Sequence, residues 1–269
     1  MLTALSLYLA CGLLAGLLAG LLGVGGGLIV VPGLLMAFTL LGFDASVATH
    51  LAIGTSLATI VPTGASSVIA HMRHDAVDWP TVGRMLPGLV LGSVVGGLFA
   101  DRVDGRWLQF GFGLFALFVV WRLLRGQVVK TVYRRASRST YLGGGMGIGA
   151  VSSLVGIGGG SLSVPWLSGR GLEMARAVAT SSALGLPIAF AGAVTYTLSG
   201  RGAAGLPAGA TGYVYWPAFF AVIVASVSMA PRGAALAHRV SRSRLKRVFA
   251  VFLLLVGVKL IVGAIRSVV

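Results

Sequence analysis

The sequence predicts an all-α polytopic membrane protein built from two homologous halves. Three observations carry that prediction: an apolar composition, long uninterrupted apolar runs, and a duplicated glycine-rich motif. Of 269 residues, 57% are hydrophobic and only 10% charged, too little polar surface for a soluble domain of this length. The runs at 86–100, 110–120 and 248–265 exceed ordinary core helices in length and apolarity. A bilayer core asks for roughly 20 apolar helical residues per span. None of the runs alternates polar with apolar residues, as a membrane barrel would require.

The net charge of +15 sits in short loops between the apolar runs. That is the Lys/Arg excess of cytoplasmic loops. It is a poor footprint for nucleic acid, because no basic amphipathic helix or aromatic-basic platform accompanies it. The single cysteine, Cys11, lies in an apolar run, so neither an intrachain disulfide nor a cysteine metal cluster is expected. The run 2–22 lacks the basic flank of a signal peptide and continues into glycines, so it is read as part of the fold.

The duplication shows in three matches that keep their order. GVGGGLIVVP at 23–32 and GIGGGSLSVP at 156–165 agree at six of ten positions. AIGTSLATIVP at 52–62 and AVATSSALGLP at 177–187 agree at five of eleven. The segment 102–123 then aligns with 239–260. Residues 1–125 form the first repeat, 126–140 a basic cytoplasmic linker, and 141–269 the second repeat. Each half opens with a hairpin broken by glycines and a proline. Three transmembrane helices follow, expected at 49–71, 82–100 and 107–125, then at 176–199, 211–231 and 245–265.

Charge arbitrates the topology. If each opening segment returns to its own side, each half has an odd number of crossings and the second half is inverted. Placing the linker inside then puts sixteen of the 21 Lys and Arg residues on that side. Only Arg102, Arg106, Arg201 and Arg266 remain outside, with Lys259 inside a span. The loop at 101–106 carries Asp101 and Asp104, whereas its repeat mate at 238–247 is strongly basic. Opposite placement of mates is what inversion predicts, and both termini would face outward. Few residues separate Ser161 from Arg170, which favours a re-entrant second hairpin; the sequence leaves open whether the first crosses fully.

The glycine clusters are the leading candidates for a binding site: Gly25, Gly26 and Gly27, with Gly158, Gly159 and Gly160. Glycine breaks a helix because it is conformationally permissive. Pro32 and Pro165 remove an amide each and deprive the carbonyls of Leu28 and Ser161 of helical partners. Broken backbone at membrane depth is tolerated where it is buried in protein or lines a cavity. A half-helix starting there aims free amides and partial positive charge at that cavity, which suits an anion. The competing reading is close helix packing, but duplication of glycines together with proline favours the break. A Rossmann or Walker loop does not fit either cluster.

Thr55 and Ser56 precede Pro62 as Thr180 and Ser181 precede Pro187, with Ser182 beside them. These hydroxyls could donate to an anion or bond back to their own helix. Ser161 and Ser163 stand where the first break has Leu28 and Val30, so the half-sites are chemically unequal. Pro62 and Pro187 are candidate hinges. Lys259, within a span, and His50, near the outer end of its helix, are candidates for a charge role, although Lys259 could snorkel outward. His71, His74 and Asp75 make a loop cluster better read as solvated than as a metal site. The acids Asp44, Asp75, Asp78, Asp101, Asp104 and Glu173 fall at or near loops, which leaves no obvious intramembrane proton relay.

The paired Gly-x-Gly-Gly-Gly-x4-Pro breaks, each followed by a Thr-Ser-bearing helix with a proline, resemble the sulfite exporter TauE/SafE family, also called the 4-toluene sulfonate uptake permeases. The resemblance spans roughly residues 5–265. It implies a permease of the bacterial inner membrane for sulfite, sulfonates or related anions. The expected partners are a small anion and the bilayer, with a homodimer as an admissible assembly, no nucleic acid and no cofactor. Two other classes compete. An intramembrane enzyme would need a nucleophile with a paired base at depth, and no Gly-x-Ser-x-Gly motif occurs. A non-transporting assembly subunit would have no use for repeated helix breaks.

Overall fold

The computed structural model describes residues 2–22, 26–72, 75–125, 137–237 and 242–266. In the first half, α1 (Leu2–Leu22) and α2 (Gly27–Leu40) form the broken opening hairpin, followed by α3 (Ala45–Met72), α4 (Trp79–Asp101) and α5 (Gly105–Arg125). The second half repeats the order as α6 (Arg138–Val155), α7 (Gly160–Ser168), α8 (Met174–Ser199), α9 (Trp216–Ala237) and α10 (Arg242–Arg266). Among the described residues, α4, α5, α8, Ala45–Ile69 of α3 and Arg247–Arg266 of α10 are long and apolar enough to cross a membrane. The protein is an all-α polytopic membrane protein.

Most helix ends shift by a few residues, and α9 runs on to Ala237 rather than ending at 231; two starts differ for a physical reason. The helix expected at 211–231 starts at Trp216, because Ala210–Thr211 (β1) pairs antiparallel with Val214–Tyr215 (β2). Gly209 and Gly212 carry φ of 90° and 55° there, a region that favours glycine. The apolar side chains of this hairpin read as helix from hydropathy alone. At the other boundary, α6 is capped by Ser137, whose side chain accepts from the Thr140 amide. Residues 138–140 of the expected linker are therefore helical, and 126–136 lie outside the described residues. The hairpins also differ in length: α2 has 14 residues and α7 only 9. Nine residues rise about 14 Å, near half of a bilayer core.

The halves interlock by exchanging a helix. α1 packs along α9 of the other half, and α6 packs along α4. Both contacts are made through glycine. Gly12 and Gly16 of α1 lie against Val222, Ala225 and Ser226 of α9. Gly145 and Gly149 of α6 lie against Met85, Leu89 and Ser93 of α4, while Gly88, Gly92 and Gly96 face Leu142, Met146 and Ala150 in return. A Cβ at Gly145 would stand 2.7 Å from the Met85 carbonyl oxygen. Lipid tails supply no hydrophobic force between helices, so close backbone approach through small residues does the work.

Both glycine contacts ascend together along the two chains, so each of these pairs runs parallel. α3 and α8 behave oppositely: Gly54, Leu57, Gly64 and Ser67 meet Tyr196, Gly192, Leu186 and Ser182 in turn. The two helices are antiparallel, and the midpoint of their register falls at Pro62 and Pro187. The buried side chains divide accordingly. One cluster joins α1, α2, α9 and the hairpin to the first part of α3. The other joins α4, α6 and α7 to α8.

Candidate functional site

The two breaks meet between α3 and α8. α6 ends at Gly156, whose φ of 75° turns the chain out of the helix while its amide still donates to the Ser152 carbonyl. Gly159, with φ of 73°, then opens α7, and its carbonyl accepts from the amides of Leu162 (3.0 Å) and Ser163 (2.8 Å). Both positions need glycine because a Cβ is strained in this region. Gly27 presses on the second break: a Cβ there would stand 2.8 Å from the Gly156 carbonyl oxygen and 3.0 Å from the Ile157 Cα. Gly185 of α8 closes on the Gly158 carbonyl in the same way, at 2.6 Å. Gly26 is nearly open, its closest neighbour being the Val30 side chain at 3.7 Å. Gly25 lies outside the described residues. Gly160 and Ser161 begin α7, where the first amides have no acceptor inside their own helix.

The Thr-Ser pairs take matching positions on the antiparallel helices. Thr55 Oγ1 accepts from the Tyr215 amide at 3.0 Å, and Thr180 Oγ1 accepts from the Asp78 amide at 2.9 Å. Each of those amides directly precedes a Trp-Pro that starts an exchanged helix, Trp216-Pro217 in α9 and Trp79-Pro80 in α4. Both threonines are fully buried. Ser56 Oγ donates to the Gly156 carbonyl at 2.9 Å, tying α3 to the second break. Ser181 Oγ donates to Ser163 Oγ at 3.1 Å, which donates to the Gly159 carbonyl at 2.6 Å. Ser182 bonds back to Val178 and lies 3.4 Å from Ser67 across the helix pair. Pro32 and Pro165 lie inside α2 and α7.

Other hydroxyls are left without a partner. Ser152 and Ser153 of α6 and Ser161 of α7 have buried Oγ atoms that make no hydrogen bond among the described residues. Ser152 Oγ lies 3.3 Å from where a Cβ on Gly159 would stand. Ser153 Oγ faces Gly97 of α4 and Gly192 of α8. Buried polar groups are rarely orphaned. Hydroxyl donors beside a helix N-terminus suit an anion. The sequence does not single out Ser152 and Ser153, since two serines in an apolar helix read as ordinary back-bonders. Their signal was position, just ahead of Gly156, where the first repeat has Ala19 and Gly20.

The remaining candidates stand apart. His50 is buried beside the end of α4 and the β1–β2 turn: its Nε2 lies 3.0 Å from the Ala100 carbonyl, its ring stacks 4.9 Å from Tyr213, and Nδ1 has no partner among the described residues. Burial chiefly, and then Asp101, push the Tyr213 hydroxyl up to about 12. Lys259 is on an exposed face of α10, donating to Met36 Sδ at 3.5 Å. His71 lies in the last turn of α3, Asp75 follows with φ of 46°, and His74 lies outside the described residues. No group of three metal-ligating side chains occurs among the described residues.

Apolar spanning helices, exchanged between two halves around facing helix breaks, make the architecture of a multi-pass membrane transporter. Residues 8–260 match the family described as Sulfite exporter TauE/SafE, and the chain belongs to that family. It is 33% identical over 266 residues to a "Probable membrane transporter protein" of Haemophilus influenzae, covering 97% of this chain and 99% of the relative. It is 27% identical to the "Probable membrane transporter protein YunE" of Bacillus subtilis, covering 95% and 97%. A shorter match, 32% over 72 residues, covers 27% of this chain and 30% of the "Probable inner membrane transporter protein TsaS" of Comamonas testosteroni. No solved structure matches the chain.

Proposed function

We propose that the protein is an inner-membrane permease for a small oxyanion of the sulfite or sulfonate kind. The anion is held where the α7 N-terminus meets Ser152 and Ser161. The observation that carries the reading is the pair of buried, unpartnered hydroxyls flanking Gly159. Backbone amides and hydroxyls stabilise an anion without a fixed cation, and a helix N-terminus contributes about half a unit of positive charge. Ser56 and Ser181 hold the break in place, while Thr55 and Thr180 fix the exchanged helices. The hydroxyl chains end on carbonyls rather than on a base, which favours binding over nucleophilic chemistry.

The two halves are inverted in this reading, with the linker on the cytoplasmic side. The antiparallel run of α3 and α8, which occupy matching places in the two repeats, supports it. Alternating access is then a rocking of the halves about the crossing at Pro62 and Pro187. Export is the favoured direction, because an inside-negative potential drives anions outward by about 2.3 kcal/mol per charge per 100 mV.

The test is flux of sulfite and methanesulfonate in liposomes. Ser152→Ala and Ser161→Ala should each raise KM about tenfold, the loss of one charge-assisted hydrogen bond, while the protein inserts normally. Wild-type kinetics in both variants would sink the site assignment.

A further inference from the structure

A second cluster lies at the far end of α7, about 14 Å from the break by helix rise. Arg170, in the turn after α7, lays its guanidinium over Trp166 at 3.4 Å, and Nη1 donates to the Trp166 carbonyl at 3.2 Å. The Trp166 ring is 5.7 Å from that of Tyr141 in α6. Arg84 of α4 stands over Tyr141 at 5.7 Å. Both arginines are half-buried, and neither has a carboxylate within ion-pair distance among the described residues. Burial holds the Arg170 guanidinium below its ordinary value. Two partly desolvated cations without a counter-charge are unfavourable unless something neutralises them.

The matching end of the other bundle shows that the fold does not require these cations. Repeat register places Tyr8 opposite Tyr141, Gly33 opposite Trp166, Ala37 opposite Arg170 and Ala221 opposite Arg84. The glycine contacts confirm the register, since Gly12 meets Val222 as Gly145 meets Met85. That end is closed by rings: Tyr8, Phe38, Phe43 and Tyr215 pack edge-to-face or stacked at 4.9 to 6.0 Å. One backbone plan thus ends in an aromatic plug on one side and in aromatic faces carrying arginines on the other.

We propose that Arg84 and Arg170, held on Tyr141 and Trp166, form a capture site for small oxyanions at the cytoplasmic mouth of the path to the α7 N-terminus. The proposal rests on the transport reading and on the cytoplasmic placement of that end. A guanidinium fork matches the oxygens of a sulfite or sulfonate. Its field raises the local anion concentration at one face only, which gives that face a higher apparent affinity than the neutral break alone would have, while the net direction stays set by the gradient and the membrane potential.

The competing role for Arg170 is structural, capping the last carbonyls of α7. Sidedness separates the two. Wild-type protein and the variants Arg170→Gln, Arg84→Gln and Arg170→Lys are reconstituted in one orientation, and initial rates are measured with sulfite or methanesulfonate presented to each face. The glutamine variants should raise KM about tenfold from the cytoplasmic face and leave the outer-face KM unchanged, with Arg170→Lys recovering part of the loss. Raising ionic strength should weaken wild-type uptake from the cytoplasmic face more than that of the glutamine variants. Should Arg170→Gln fail to fold, Arg84→Gln, on a different helix, carries the same expectation. Equal KM changes at both faces, or none, would overturn this inference and leave the transport reading intact. Absence of wild-type flux for both anions would overturn the two together.

Discussion

At the scale of single residues, what decides a hydroxyl's role is its partner. Thr55 and Thr180 accept backbone amides, Ser56 donates to a carbonyl, and Ser152 and Ser161 are unpartnered. A sequence shows five similar hydroxyls; only contacts across 100 or more residues sort them. Tyr213 gives a pH test at the same scale. Its proton is held up to about 12 by burial and Asp101, against about 10 in the unfolded chain. The folded state therefore binds more protons than the unfolded state between those values, and stability falls as pH rises through that window. Thermal unfolding in detergent should show a decline from pH 10 to 12 that Tyr213→Phe makes shallower; an identical decline in the variant would refute the assignment.

At the scale of elements, helix pairing is governed by where a Cβ can fit. A side chain at Gly92 would run into the Met146 carbonyl, while Gly111 has open space around it. Gly92→Val should lower stability by about 1–3 kcal/mol, the usual range for overpacking a tight contact. Gly111→Ala should be neutral or slightly stabilising, since alanine is the better helix former. Melting temperatures of the two variants check the contrast, and equal shifts would count against the glycine seam. Most helices were legible from hydropathy because each apolar run is a local property. The start of α9 was not, because β1 and β2 are apolar too and only their glycine φ angles tell them from helix.

At the scale of the whole molecule, the exchange of α4 and α9 makes each bundle depend on both halves. Neither repeat should form a stable bundle alone, because α1 and α6 would expose glycine seams with no helix against them. The proposed inversion has a direct measurement. Cysteines introduced at Arg102 and Arg244 should label from opposite faces of the membrane. The native thiol of Cys11 is buried and should contribute little background. Labelling of both sites from one face would refute inversion.

The sequence by itself determined the membrane class, the duplication, and the position of both helix breaks. Those follow from hydropathy, glycine and proline, which act on the chain within a few residues of where they stand. The tertiary structure alone decided which helices change partners, that α3 and α8 run antiparallel, and which hydroxyls stay unpartnered beside Gly159. The physical reason is that a helix face or a hydroxyl has no fixed role until a distant segment meets it. In a bilayer that meeting is chosen by steric fit and hydrogen bonding, for which hydropathy carries no signal.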